Sequence, residues 1–180
     1  LLIGYYIFNF LKKMNYSLIK KYDIANAKGI NTSIFFCGCT HHCQGCFNAS
    51  IWDFKCGKLF DNDAKQLLIR YLSDDEVKGL SILGGEPLQQ GKELYDLIQE
   101  IETLFPDKKI WLWTGYYLNE LNNEQMEIVK LCDYVIDGRF EKDKTDGRII
   151  LRGSTNQTIW HNENRTGNFV KSKYNYFKVE

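Results

Sequence analysis

The chain has 180 residues with 23 basic and 23 acidic side chains, so its formal net charge is zero. That length suits one domain with a sizeable core, and the charge balance supplies no global field for nucleic acid or an anionic membrane surface. Neither is expected as a partner.

Residues 1 to 11 are apolar apart from Gly4 and Asn9, but a spanning helix needs about 20 apolar residues. No basic start or small-residue cleavage site marks a signal peptide. Met14 precedes an ordinary polar start, Asn15-Tyr16-Ser17. Residues 1 to 13 are therefore read as an extension outside the functional fold, and residues 14 to 180 as a single domain. Cys56 and Cys132 lie far apart in patterned segments, where a buried thiol is expected, and the cysteine usage fits a reducing cytoplasm.

From Tyr16 to Asn31 the sequence is mixed and polar, with Gly29 marking a turn before an expected strand at Ile34-Phe35-Phe36. The next ten residues, Cys37-Gly38-Cys39-Thr40-His41-His42-Cys43-Gln44-Gly45-Cys46, hold four of the six cysteines. Thiolates gathered on one short loop hold iron-sulfur clusters or zinc. Cys39, Cys43 and Cys46 give a Cys-x3-Cys-x2-Cys spacing, and three thiolates on a four-iron cluster leave one iron open. A zinc knuckle using Cys37 or a histidine, or a disulfide pair, are the alternatives this stretch leaves standing. His41 and His42 are expected to face solvent if three thiolates already serve a cluster.

Asp61-Asn62-Asp63 offers an N-cap for a helix carrying Ala64, Leu67, Leu68 and Tyr71. Leu80-Ser81-Ile82-Leu83 reads as a second strand that stops at Gly84-Gly85-Glu86-Pro87, where glycines permit close backbone approach to a ligand. Leu94, Leu97, Ile98, Ile101 and Leu104 recur on one helical face before Pro106. A third strand, Ile110 to Thr114, a helix around Glu124 to Cys132 and a fourth strand, Tyr134-Val135-Ile136, follow. The tryptophans Trp111 and Trp113 are read as core, and Asp137 serves equally as a turn cap or a ribose contact. Beyond Arg139 the patterning is weak. Strands alternating with helices predict an α/β fold with parallel strands and helices outside. Such folds bind ligands beyond the C-terminal strand ends, where the cysteine loop, Gly84-Gly85-Glu86, Thr114-Gly115 and Asp137-Gly138 all fall.

The cysteine loop together with Gly84-Gly85-Glu86 resembles the radical S-adenosylmethionine enzymes. Cys43-Gln44-Gly45-Cys46-Phe47-Asn48, Trp111 to Tyr116, Asp137-Gly138-Arg139-Phe140 and Leu151 to Gln157 look like the activating proteins of anaerobic (class III) ribonucleoside-triphosphate reductases. The resemblance implies a 4Fe-4S cluster on Cys39, Cys43 and Cys46, with S-adenosylmethionine on its open iron. Gly84 and Gly85 would approach the methionine moiety, Glu86 would position its amino end or the loop, and Gly45 and Phe47 would lie against the adenine. Reductive cleavage to a 5′-deoxyadenosyl radical would install a glycyl radical on the reductase, with flavodoxin or a similar low-potential donor supplying the electron. A chain too short for a full eight-unit barrel implies a partial barrel, open on one side to admit a peptide loop. A radical enzyme acting on a small molecule and a zinc-binding interaction module are the competing functions. The reading expects a branched side chain at Gly85 to block the cosubstrate while sparing the cluster.

Overall fold

The computed structural model describes residues 13 to 176, so the extension expected at residues 1 to 13 lies outside them except for Lys13. The strands are β1 (Asn15–Asp23), β2 (Asn31–Phe36), β3 (Lys58–Leu59), β4 (Gly79–Gly84), β5 (Lys109–Trp113), β6 (Tyr134–Asp137), β7 (Thr158–Asn162) and β8 (Phe169–Lys171). The helices are α1 (Asn62–Leu72), α2 (Lys92–Leu104) and α3 (Asn123–Lys130). All eight strands join one sheet in the order β3-β1-β2-β4-β5-β6-β7-β8. The central four, β2-β4-β5-β6, run parallel, while β1 and β3 on one side and β7 and β8 on the other pair antiparallel. The architecture is therefore mixed α/β, and the expectation of uniformly parallel strands is corrected at both edges.

Local chemistry sets the helices. Asp61 accepts a hydrogen bond from Ala64 N at 3.0 Å to cap α1, and Asn122 with Gln125 forms a reciprocal capping box on α3. Ala64, Leu68 and Leu72 of α1, Leu94, Leu97, Ile98 and Ile101 of α2 and Ile128 and Val129 of α3 are buried. Leu104, expected on the buried face, stands half exposed at the end of α2.

Strand periodicity assigns the two faces of the sheet. Ile34, Phe36, Leu80, Ile82, Ile110, Leu112 and Val135 pack with the three helices in one core cluster. Each such side chain contributes about 1.5–3 kcal/mol by leaving water. The alternate residues face the other way, where Trp111, Ile136 and Ile159 form a second cluster with Ala27, Leu151 and Tyr174. Phe35, Leu83 and Trp113, on that second face, line a cavity. The main core thus fixes the sheet, and the face opposite the three α-helices carries the site.

The β1–β2 connection crosses that second face and is tied down by Asp23. Its carboxylate accepts hydrogen bonds from Ser33 Oγ (2.6 Å), Asn26 Nδ2 (2.7 Å) and Ala25 N (2.9 Å). Burial pushes this carboxyl up, but those donors and Lys20 outweigh it and bring the pKa down from 3.8 to about 2. A carboxylate whose folded pKa is depressed contributes stability above its unfolded value and loses it as pH falls through the folded value. Asp23→Asn is expected to lower unfolding free energy by about 1–3 kcal/mol near pH 7. The difference should shrink as pH falls from about 4 towards 2. Urea titrations of both proteins across that range measure it; a constant gap would exclude the ionised carboxylate as its source.

Candidate metal centre

The parallel strands deliver their loops to one end of the sheet. Register places Phe36 of β2 beside Gly84 of β4, so the cysteine loop and the Gly84-Gly85-Glu86 loop leave adjacent strand ends. Gly85 N donates to Phe36 O at 2.8 Å and Glu86 N donates to Gly38 O at 2.7 Å, which extends the strand pairing into the two loops. The returning half of the cysteine loop is held by Gly38 N to Ile51 O and Cys39 N to Trp52 O, both 2.9 Å. Asn48 Nδ2 donates to Gly84 O at 3.2 Å.

These loops enclose a cavity of about 410 Å³ lined by Cys39, Cys43 and Cys46 together with Gly84, Gly85 and Glu86. Phe35, Leu83 and Trp113 form an apolar part of its wall, and Thr114, Gly115, Gly138 and Arg152 border it from the later loops. The three cysteines are free. Burial pushes the Cys39 and Cys43 thiols up. Backbone N–H groups of His41 and His42 directed at Cys39, and of Phe140 at Cys43, work in the other direction. Asn48 N donates to Cys46 Sγ at 3.4 Å. N–H groups aimed at sulfur stabilise thiolate, the form that binds iron.

The donor set fits a 4Fe-4S cluster: three free thiols, each with an amide directed at its sulfur, on the wall of one cavity. Among the described residues no three Cys, His, Asp or Glu side chains converge as ligands of a single ion, and of the two histidines only His41 lines the cavity. His42 is exposed and lies 4.6 Å from the Trp52 ring. His41 is not solvent-facing as expected. Its side chain is only 8% exposed, with Nε2 3.2 Å from Glu86 Oε2 and its ring edge-on to Tyr116 at 4.4 Å.

Two other cysteine expectations divide. Cys132 is a buried free thiol. Cys56 is instead joined to Cys37 in a disulfide, because the chain after Cys46 folds back beside the end of β2 and brings the two Cα atoms to 5.9 Å. That pairing leaves Cys37 without a free thiol.

Glu86 is fully buried. One oxygen accepts from Leu88 N (3.0 Å) and Thr114 Oγ1 (2.8 Å), the other from Gly115 N (2.7 Å). The carboxylate thus joins the β4 and β5 loops. Glu86→Gln puts an amide where an acceptor is needed, so a loss of about 1–3 kcal/mol in urea unfolding is expected. Unchanged stability would mean that the loops do not depend on this carboxylate.

Phe47 is 77% exposed at the cavity edge, its ring 5.0 Å from Phe140. Gly45 is exposed and stands outside the lining, and Lys142 methylenes fill the space a Cβ would occupy, at 2.9 Å. Asp137 is buried with Oδ2 accepting from Leu118 N at 3.0 Å, a capping role. Sequence reasoning gave Arg152 no role, yet it lines the cavity while donating to the carbonyls of Gln157 and Asn175. Neither partner is adjacent to it in sequence, so periodicity held no signal for it.

The sequence model of the 4Fe-4S single cluster domain family matches residues 25–160. The chain is 40% identical over 152 residues to the anaerobic ribonucleoside-triphosphate reductase-activating protein of Escherichia coli K12, covering 82% of this chain and 99% of that protein. It is 39% identical over 150 residues to the Haemophilus influenzae protein of the same name, covering 81% and 97%. The bacteriophage T4 protein of that name is 38% identical over 151 residues, covering 83% and 95%. With three free cysteines on a single cavity and these relatives along most of its length, the chain belongs to the family of anaerobic ribonucleoside-triphosphate reductase-activating proteins.

Proposed function

We propose that this protein is a radical S-adenosylmethionine activase that installs a glycyl radical on an anaerobic ribonucleoside-triphosphate reductase. The observation that carries the reading is the meeting of Cys39, Cys43 and Cys46 with Gly84, Gly85 and Glu86 on one cavity. Its volume of about 410 Å³ falls within the range that encloses small ligands. Cys39, Cys43 and Cys46 would hold three irons of a 4Fe-4S cluster. When bound, such a cluster would supply the electron for reductive cleavage of a sulfonium carbon-sulfur bond of S-adenosylmethionine, giving methionine and a 5′-deoxyadenosyl radical.

The chain's own residues orient the cosubstrate and keep water out. Gly84 and Gly85 offer backbone without side-chain bulk beside the cysteine loop. Glu86 holds that backbone in place through Thr114 and Gly115. Phe35, Leu83 and Trp113 supply an apolar wall that excludes water from a reactive radical. Phe47 and Phe140 stand at the edge as a face for the adenine. The sheet is read as a partial barrel whose open side admits a reductase loop. There a glycine gives up its Cα hydrogen to yield 5′-deoxyadenosine and the glycyl radical.

Among the described residues no helix is long and apolar enough to cross a membrane. A low-potential donor such as flavodoxin, in a reducing cytoplasm, would supply the electron, and the Cys37–Cys56 disulfide is an exception to the free thiols usual in that compartment.

Anaerobic incubation with reductant, S-adenosylmethionine and the cognate reductase is expected to produce a glycyl radical detected by electron paramagnetic resonance, with methionine released. Methionine without a protein radical would point to a small-molecule substrate. A colourless protein carrying zinc would sink the reading.

A further inference from the structure

We infer that the Cys37–Cys56 disulfide protects the open coordination position of the cluster by keeping the Cys37 thiol out of its ligand set; the inference rests on the function proposed above. The pair brackets the metal loop, with Cys39, Cys43 and Cys46 all lying between its two members. Cys37 stands two residues before Cys39, so their Cα atoms are at most about 7 Å apart. A free thiol so close is a competitor for the fourth iron. Thiolate is a softer ligand for an iron-sulfur centre than an amino or carboxylate group. A fourth thiolate would turn an open site into a closed one.

Stapling alone does not account for the pair. The returning segment is already held by Gly38 N to Ile51 O and Cys39 N to Trp52 O, and Asn15 Nδ2 donates to Cys56 O at 3.0 Å. The disulfide adds the fixed direction of the Cys37 sulfur. Cys37 is buried and its Sγ lies towards Gly57, 3.1 Å from where a Cβ on that glycine would stand. It does not line the cavity. A Cβ on Gly57, which has φ +66°, would overlap Tyr16 O, so the chain next to Cys56 passes close to β1 only as glycine. The bond forms by thiol–disulfide exchange with a low-molecular-weight disulfide. Two protein thiols give up two protons and two electrons as one S–S bond forms, and the oxidant leaves as two thiols.

The test separates sequestration from stapling, because the two cysteines are equivalent for the second and opposite for the first. Wild type, Cys56→Ser, Cys37→Ala and the double variant are reconstituted anaerobically with iron and sulfide, without added thiol. Iron content and S-adenosylmethionine binding by equilibrium dialysis are then measured. All four proteins are expected to hold about four irons. Cys56→Ser alone, which frees Cys37, is expected to bind S-adenosylmethionine about tenfold more weakly or worse, and the double variant to regain wild-type affinity.

Equal binding by Cys56→Ser and wild type overturns the inference, as does an equal loss in all three variants. Failure of wild type itself to bind S-adenosylmethionine would instead overturn the function proposed above. Should Cys56→Ser not fold, opening the wild-type disulfide with a phosphine before reconstitution gives the same comparison. Binding is then expected to fall in wild type and to be unaffected in Cys37→Ala, and insensitivity of both overturns the inference. Alkylation of unfolded wild type without reductant is expected to label the four cysteines outside the pair. Labelling of all six overturns it.

Discussion

Cys43→Ala is expected to leave anaerobic reconstitution with iron and sulfide near the level of a protein-free control, and with S-adenosylmethionine cleavage reduced more than about a hundredfold. Loss of groups that merely orient metal ligands commonly costs 10- to 100-fold in affinity or activity, and this change removes a proposed ligand itself. Two thiols, Cys39 and Cys46, would remain on the cavity wall, too few to hold the cluster. The fold should survive, because the main core is built from the sheet and three helices and does not include Cys43. Far-ultraviolet circular dichroism is therefore expected to match wild type. Cys132→Ala is the control. Its thiol lies buried in the main core, pushed up in pKa by burial, with Sγ directed to Ile128 O at 3.7 Å, so that variant should keep its iron. Full cluster retention in Cys43→Ala would remove the ligand assignment.

The elements legible in the sequence were those whose side-chain period matches their packing. α2 is an example: Leu94, Leu97, Ile98 and Ile101 repeat at helical spacing and all four are buried. The central strands were equally plain because short apolar runs bounded by glycine are what a strand buried on both faces requires. The edge strands were not. β1 pairs with β2 through shifts between Tyr16 and Leu18 and between Lys20 and Asp23, and such irregularities break the two-residue alternation. Its Leu18 and Tyr22 are exposed, so polarity gave no guide to its inward face. β7 and β8 are short, and part of their order comes from side chains. Asn175, beyond the end of β8, accepts from Ile159 N at 2.8 Å and donates to Ile159 O at 2.7 Å. At the site, motif spacing located the cysteines and the glycine pair. The burial of His41 against Glu86 and Tyr116 and the pairing of Cys37 with Cys56 depend on where the loop returns, which spacing does not encode.

Gly85→Val is expected to lose iron and cosubstrate binding together, contrary to the separable effect that motif reasoning gives. A Cβ on Gly85 would stand 2.3 Å from Gly38 O and 2.6 Å from its carbonyl carbon, so the space is taken by the backbone of the cysteine loop. Backbone at that distance cannot turn aside as a side chain does. Glu86 N also donates to Gly38 O, so displacing Gly38 breaks the bond that aligns the two loops. Overpacking typically costs about 1–3 kcal/mol, and here the strain falls next to Cys39. Gly147→Ala is the matched control, since a Cβ there meets nothing within 4 Å, and it should retain iron and binding. Iron and sulfide assays with equilibrium dialysis of S-adenosylmethionine decide between the outcomes. Wild-type iron in Gly85→Val with binding abolished would mean that the loop yields and that the glycine is needed by the ligand. Loss of both assigns the missing side chain to the fit between the glycine loop and the metal loop.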